Sequence, residues 1–251
     1  TELGYRLFER TTRRLSLTEA GQLTFDQIQT PLEELDQIIA KARDTLNVPS
    51  GLLRVTASTA FGERWLAPRL SKFQSAYPDI RLDMVLTDRN IDLVSENIDV
   101  AIRLGEHITG SYITRRLMRT QYRVIASPAY LARNRRPENP TQLGEHNCLI
   151  FSLPGYGSSW RFRAASGHEI DIPVSGSISM TNALGLRRAA LDGIGIALLS
   201  DWTIDSDLQA GSLIDLFPAW SATATSFETA AWFLYPSKAY LPAKTRAFID
   251  H

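Results

Sequence analysis

Residues 51–86 read GLLRVTASTAFGERWLAPRLSKFQSAYPDIRLDMVL, and this stretch decides the fold. LLRVTAS (52–58) predicts a strand, a helix follows over about 63–76, and IRLDMVL (80–86) predicts a second strand. IDLVSEN (91–97) reads as a short helix, and DVAIRLG (99–105) as a third strand. That third strand has almost no polar alternation, the pattern of a strand covered on both faces. The order β-α-β-α-β implies a parallel sheet with right-handed crossovers.

A second unit of the same kind begins near Ala126-Ser-Pro128. It offers a short helix (PAYLAR), a strand at CLIF (148–151) and a hairpin-like stretch over 159–174. Strand SISM (177–180), helix NALGLRRAALDG (182–193), strand IGIALLS (194–200) and LIDLF (213–217) follow. AAWFLYP (230–236) and a helix from about Pro242 close the chain. Gly193-Ile-Gly195 is a tight helix-to-strand turn, not a nucleotide fingerprint.

Upstream of the fold-deciding stretch the pattern differs. LFERTTRRLSLTEAG (7–21) holds clustered arginines, a short apolar alternation and a helix start, with Thr18 as N-cap and Glu19 in the first turn. The helix carries Phe25, Ile28, Leu32, Leu35, Ile39, Ala42 and Leu46, alternately three and four residues apart. This is a narrow a/d seam of period 3.5, suited to pairing with a second copy rather than to lying on its own domain. Pro31 inside it removes one backbone donor, so a local kink is expected. Asn47-Val-Pro-Ser-Gly51 stops the helix and reads as a hinge.

The 251 residues suffice for two lobes plus an extension, and net charge is zero. Charge is nevertheless local. Arg6, Arg10, Arg13 and Arg14 outnumber Glu2 and Glu9 over 1–17, whereas residues 18–47 are acidic. No apolar run is long enough for a membrane span, and no secretory signal opens the chain. The single cysteine, Cys148, suits a reducing cytoplasm and reads as a small buried hydrophobe. His107, His146, His168 and His251 show no metal-ligand spacing, so no metal is expected, and no cofactor either.

LGYRLFERTTRRLSLTEAGQ, the stalk, GLLRVTAS, FGERWLAPRLSKFQSAYPDIRLDMVL and DGIGIALLSDW, taken in order, resemble the LysR-type transcriptional regulators over the whole chain. Asp201 stands where that family often has proline. The resemblance implies an α/β fold: a two-lobed, periplasmic-binding-protein-like effector domain of type 2, preceded by a long linker helix and the remnant of a winged helix-turn-helix. Residues 1–17 would be the wing remnant, 18–47 the dimerisation helix, 48–51 a hinge and 52–251 the effector domain. Lobe one would take about 52–126 and 228–251, and lobe two about 127–227.

Several residue roles follow from the resemblance. Arg10, Arg13 and Arg14 fall in or beside the wing, where guanidiniums reach phosphates or a narrow minor groove. The recognition helix of the family would precede Thr1, so this chain alone is expected to bind double-stranded DNA poorly and with little sequence preference. Phe25, Ile28, Leu32, Leu35, Ile39 and Leu46 would form a homodimer seam. The family also pairs effector domains into tetramers, which makes the helix with Trp65, Leu66 and Leu70 a contact candidate, with Trp65 and Leu70 also reading as packed within their own lobe.

In open α/β sheets ligands sit beyond the carboxyl ends of strands. Ser58-Thr59 and Thr181-Asn182 each end a strand and start a helix, so their free N–H groups suit a small carboxylate effector; both pairs also read simply as caps. Arg103, an arginine in an apolar strand, either pairs with an acid or points at an anion. Ser127, Phe151 and Leu199 are further pocket candidates. Trp160, Phe162 and Tyr156 read as hairpin packing.

Two other function classes compete. A solute-binding receptor of the same fold, without DNA binding, leaves the heptad stalk and basic wing unexplained. An enzyme would need a catalytic signature, and no GxSxG, P-loop, helix-opening GxGxxG or HExxH is present.

Overall fold

In a computed structural model of the chain, the residues described are 5–10, 15–44, 48–89, 91–106, 112–153, 155–236 and 241–251. In chain order the elements are β1 (Phe8–Arg10), β2 (Leu15–Leu17), α1 (Glu19–Asp44), β3 (Gly51–Ala57), α2 (Thr59–Phe61), a π-helical turn (Gly62–Leu66) and α3 (Ala67–Ala76). Next come β4 (Ile80–Leu86), β5 (Val100–Gly105), β6 (Tyr112–Arg119), β7 (Tyr122–Ala126), α4 (Pro128–Leu131), a 3-10 turn (Pro140–Glu145) and β8 (Cys148–Phe151). Then follow β9 (Ser159–Ala164), β10 (Glu169–Pro173), β11 (Ser179–Met180), α5 (Ala183–Leu191), β12 (Ile196–Ser200) and α6 (Asp201–Gln209). The chain finishes with β13 (Ile214–Asp215), β14 (Trp220–Thr223), β15 (Ala230–Pro236) and α7 (Ala243–Asp250).

The chain divides into two units. The first holds Thr1–Gly51, Tyr77–Arg81 and Tyr240–His251. Here β1 and β2 form an antiparallel hairpin with Phe8 opposite Leu17 and Arg10 opposite Leu15. Thr18 caps α1: its Oγ1 accepts the Gly21 N–H at 2.9 Å and donates to the Arg6 carbonyl at 2.6 Å. Gly21 has no alternative, because a Cβ there would lie 2.0 Å from the Leu7 carbonyl oxygen. The helix runs through Pro31. Phe25, Ile28, Leu32 and Leu35 are exposed. The side chains of Arg10 and Ile39, and residues Arg13, Arg14, Leu46 and His107, lie outside the described residues.

The second unit, Leu52–Ala76 and Leu82–Ala239, contains two sheets. One has strand order β4-β3-β5-β15-β6 and the other β10-β9-β14-β7-β12-β8-β11, with β13 on β7. The chain passes between them twice, after β6 and before β15. The passages are tied where the Thr120 N–H donates to Thr229 O at 3.0 Å and Thr229 Oγ1 donates to Thr120 O at 3.2 Å. The first passage lies ahead of the boundary expected near 126, because β7 pairs with β12 in the second sheet.

Both faces of the second sheet are covered. Trp160, Phe162, Leu143 and Phe217 pack one cluster, and Leu149, Leu186, Leu199 and Ile204 another. Trp160 and Phe162 are thus core, as their hairpin position suggested. Cys148 is buried in the first cluster, and burial pushes its thiol up to about 12. α5 ends in a Schellman motif: Ile194 N–H donates to Ala189 O and Gly193 N–H to Ala190 O, with Gly193 at φ 73°.

Several expectations are corrected. The first sheet is mixed, not parallel. β3 and β5 are parallel, but β15 returns from the other sheet and inserts antiparallel between β5 and β6. The first helix begins at Thr59 rather than about 63, with a π turn at Gly62–Leu66. Residues 91–97 form turns, not a helix. Asp92 Oδ1 accepts the N–H groups of Val94 and Ser95, and Asn97 at φ 53° ends the segment. β5 is buried only over Val100–Ile102; Arg103–Gly105 are half-buried. No helix among the described residues is long and apolar enough to cross a membrane.

Candidate functional site

The carboxyl ends of β3 and β11 each run into a helix start. Ser58 leaves β3 in extended backbone and caps α2, its Oγ accepting the Phe61 N–H at 3.4 Å. Asn182 caps α5, its Oδ1 accepting the N–H groups of Leu184 and Gly185 at 2.9 and 3.1 Å. Between these caps stands Asp88, two residues past the end of β4. Its Oδ1 accepts the Thr59 N–H at 3.1 Å and its Oδ2 accepts from Asn182 Nδ2 at 3.3 Å. One carboxylate therefore links the two sheets.

Beside it lies a cavity of about 520 Å³. The first sheet and its loops contribute all of its charged lining, Asp88, Arg89 and Arg103, with Ser58 and Thr87. The second sheet contributes mainly rings and aliphatics: Tyr122, Phe151, Tyr156, Leu198, Leu199 and Trp202. Arg103 donates to Ile102 O at 3.1 Å and to Thr56 Oγ1 at 3.3 Å, both neutral oxygens. Burial lowers its pKa, and the charge of Asp88 only partly opposes that. Of the two readings of this arginine, the placement matches a group on a cavity wall.

The aromatic wall is polar at its edges. The Tyr122 and Tyr156 hydroxyls are 3.1 Å apart, and Tyr156 meets Phe151 edge-on at 4.8 Å. Burial, foremost, raises both phenols above their ordinary range, so they remain neutral donors. Trp202 packs edge-on against Phe61 at 5.1 Å across the two sheets, and its buried indole N–H has no hydrogen-bond partner among the described residues.

The cavity brings together Ser58, Arg103, Phe151 and Leu199. Thr59 and Asn182 adjoin it through Asp88 rather than lining it, and Thr181 is exposed off the wall. Ser127 is corrected outright: it is buried as the N-cap of α4, accepting the Tyr130 N–H at 3.4 Å. The strand-end rule misplaced it because β7 runs antiparallel to β12. Tyr122, at the start of β7, is level with Ser200 at the end of β12, and it is Tyr122 that reaches the cavity. Leu66 is also corrected. It is 5% exposed and belongs to the core, so no surface contact uses it. Trp65 is half-buried, stacked on Phe61 at 4.9 Å with the Arg69 guanidinium 4.1 Å over its ring.

Asp88, Arg89, Tyr122, Tyr156 and Trp202 were not foreseen as site residues. Asp88-Arg89 and Trp202 follow the carboxyl ends of β4 and β12, where the same rule reaches them. Tyr156 sits in the loop after β8, and no sequence period marks it.

The family model for the LysR substrate binding domain matches residues 47–251. The transcriptional regulator CrgA of Neisseria meningitidis serogroup C is 35% identical over 99% of this chain and 82% of its own. DmlR, a transcriptional regulator of Escherichia coli K12, is 32% identical over 97% of this chain and 78% of its own. The solved structure of Neisseria meningitidis CrgA superposes with a TM-score of 0.71 at 34% identity, covering 99% of this chain and 83% of that one. The full-length Vibrio cholerae virulence activator AphB gives 0.72 at 28% identity, with the same coverage. These relatives are regulators, not enzymes, and the solute-receptor alternative is not favoured. The chain belongs to the LysR-type transcriptional regulators, a family of DNA-binding proteins.

Proposed function

We propose that this regulator responds to a small organic anion bound in the cavity between its two sheets, and that the bound state alters how paired chains hold DNA. The observation that carries this reading is the division of the cavity wall. Both guanidiniums lie on the first sheet's side, and all of the aromatic and most of the aliphatic surface lies on the second sheet's side. A ligand with a carboxylate at one end and an apolar body meets both walls at once. Because the walls belong to different sheets joined by two passages, such a ligand favours one interlobe arrangement. A differential affinity of that kind is what an allosteric effector requires.

The rest follows the family pattern. The a/d face of α1 pairs two copies through Phe25, Ile28, Leu32 and Leu35, with Ile39 and Leu46 continuing the seam. The hairpin carrying Arg10, Arg13 and Arg14 contacts DNA phosphates, and the protein works in the cytoplasm, where that DNA is. Trp65 remains a candidate for a contact between effector domains.

The test is a thermal-shift screen of organic acids against the whole chain, with Ser58→Ala and Phe151→Ala beside it. A ligand at about 100 times its dissociation constant adds about 2.7 kcal/mol. A hit weakened by both substitutions supports the reading, because the two residues stand on opposite walls. A hit indifferent to both places the ligand elsewhere and overturns it.

A further inference from the structure

The two helix starts that suit an external carboxylate are already joined by an internal one. Asp88 accepts from the Thr59 N–H on one side and from Asn182 Nδ2 on the other, at 3.1 and 3.3 Å. Asn182 cannot turn its amide to suit a different partner, because its Oδ1 is committed to the N–H groups of Leu184 and Gly185. The charged groups on the cavity wall are Asp88, Arg89 and Arg103, so the wall carries one net positive charge. All three come from the first sheet and its loops.

We propose that Asp88 sets the charge of the effector: it is a built-in anion that admits ligands with one carboxylate and rejects those with two. This rests on the reading of the cavity as the effector site. With Asp88 in place, one incoming carboxylate neutralises the remaining guanidinium charge. A second carboxylate meets Asp88 without a free cation and carries a repulsion that the half-buried setting does not screen away. The same residue connects the sheets, so rejecting the second charge and holding the walls together are one function.

Three variants separate this from a merely structural role. Asp88→Asn keeps only one of the two acceptor oxygens, so the hydrogen bond from either Thr59 or Asn182 is lost, and it raises the wall to two net positive charges. Asn182→Asp keeps a capping oxygen for α5 but sets a second carboxylate against Asp88, a pair that shares one proton and so leaves the wall near its original charge. The double variant restores one donor–acceptor pair and the original charge. Binding of benzoate and of phthalate is measured by calorimetry on each folded chain, with thermal midpoints as the folding control. The phthalate-to-benzoate affinity ratio is expected to be highest in Asp88→Asn, at least tenfold above the parent. It should stay near the parent value in Asn182→Asp, whose carboxylate pair shares a proton, and in the double variant.

A ratio that moves less than twofold across the series overturns the proposal, as does a parent chain that prefers phthalate. If benzoate and phthalate bind the parent equally, and Arg103→Met weakens both, the effector site stands and Asp88 as selector falls. If neither acid binds any variant, both readings fall.

Discussion

Replacing Arg103 by methionine should weaken anion binding while leaving the fold about as stable as before. Arg103 is the half-buried cation of β5, and both of its hydrogen-bond partners are neutral oxygens. Burial lowers its pKa, which means that the charged form is held at a cost in the folded state. Since arginine stays charged at every working pH, that cost is always present. Exchanging buried charge for a matched apolar group is neutral to stabilising by about 1–4 kcal/mol in measured cases. For one partly solvated guanidinium the lower end, about 1 kcal/mol, applies.

Against this stands the loss of two hydrogen bonds, one near the distance limit, for which about 1 kcal/mol is appropriate. Thr56 is not orphaned, because its Oγ1 still donates to Val85 O at 2.8 Å. With the attraction to Asp88 also lost, the net change is close to zero, within about 1 kcal/mol either way, which is at most a few degrees in Tm. Binding moves the other way. A charge-assisted hydrogen bond to a carboxylate contributes about 1.5–3 kcal/mol, so benzoate affinity should fall about 10- to 150-fold. Urea unfolding gives the first quantity and calorimetry the second. A variant destabilised by more than about 2 kcal/mol, or one that binds benzoate as the parent does, would refute the reasoning.

Asp201 gives a pH test. Burial, first, raises its carboxyl pKa, so the folded state holds that proton more tightly than the unfolded chain does. Stability is then lost as pH rises from the ordinary carboxylate range through the raised value. Asp201→Asn should raise the Tm at pH 7 and give no gain near pH 3.5. On α1, Leu32→Asp with Leu35→Asp should turn a dimer into a monomer by light scattering, without lowering the thermal midpoint of the α/β unit. Cys148 should resist thiol reagents at pH 8 in the folded chain and react on unfolding, because its thiol is buried and pushed up to about 12.

Much of this molecule is legible wherever one residue answers to one local rule. Ser58 and Asn182 are short polar side chains at strand-to-helix junctions, and both cap as their chemistry predicts. The 159–174 hairpin and the Gly193 turn are read from patterning and φ demand in the same way. What escapes the sequence depends on partners distant along the chain. β6 carries Arg115, Arg116 and Arg119 and is largely exposed, because among the described residues it is an edge strand paired only with β15. No apolar alternation marks it. α6, DWTIDSDLQ, has weak amphipathic character and follows directly from β12.

The site divides along the same line. Arg103, Phe151 and Leu199 lie on strands whose ends the sequence locates. Tyr122 reaches the wall only because β7 runs antiparallel to β12, a fact of pairing that its own residues do not carry. Asp88 is legible as a loop residue, but its role as a bridge needs the coordinates of Thr59 and Asn182 together.

The most direct test of the central claim is hydrogen–deuterium exchange on the whole chain, with and without the strongest carboxylate from the thermal screen. The account predicts added protection in peptides from both walls: around Ser58–Phe61 and Asp88 on one, and around Phe151–Tyr156 and Leu198–Trp202 on the other. Protection confined to one sheet, or found only away from these segments, would contradict an effector bound between them.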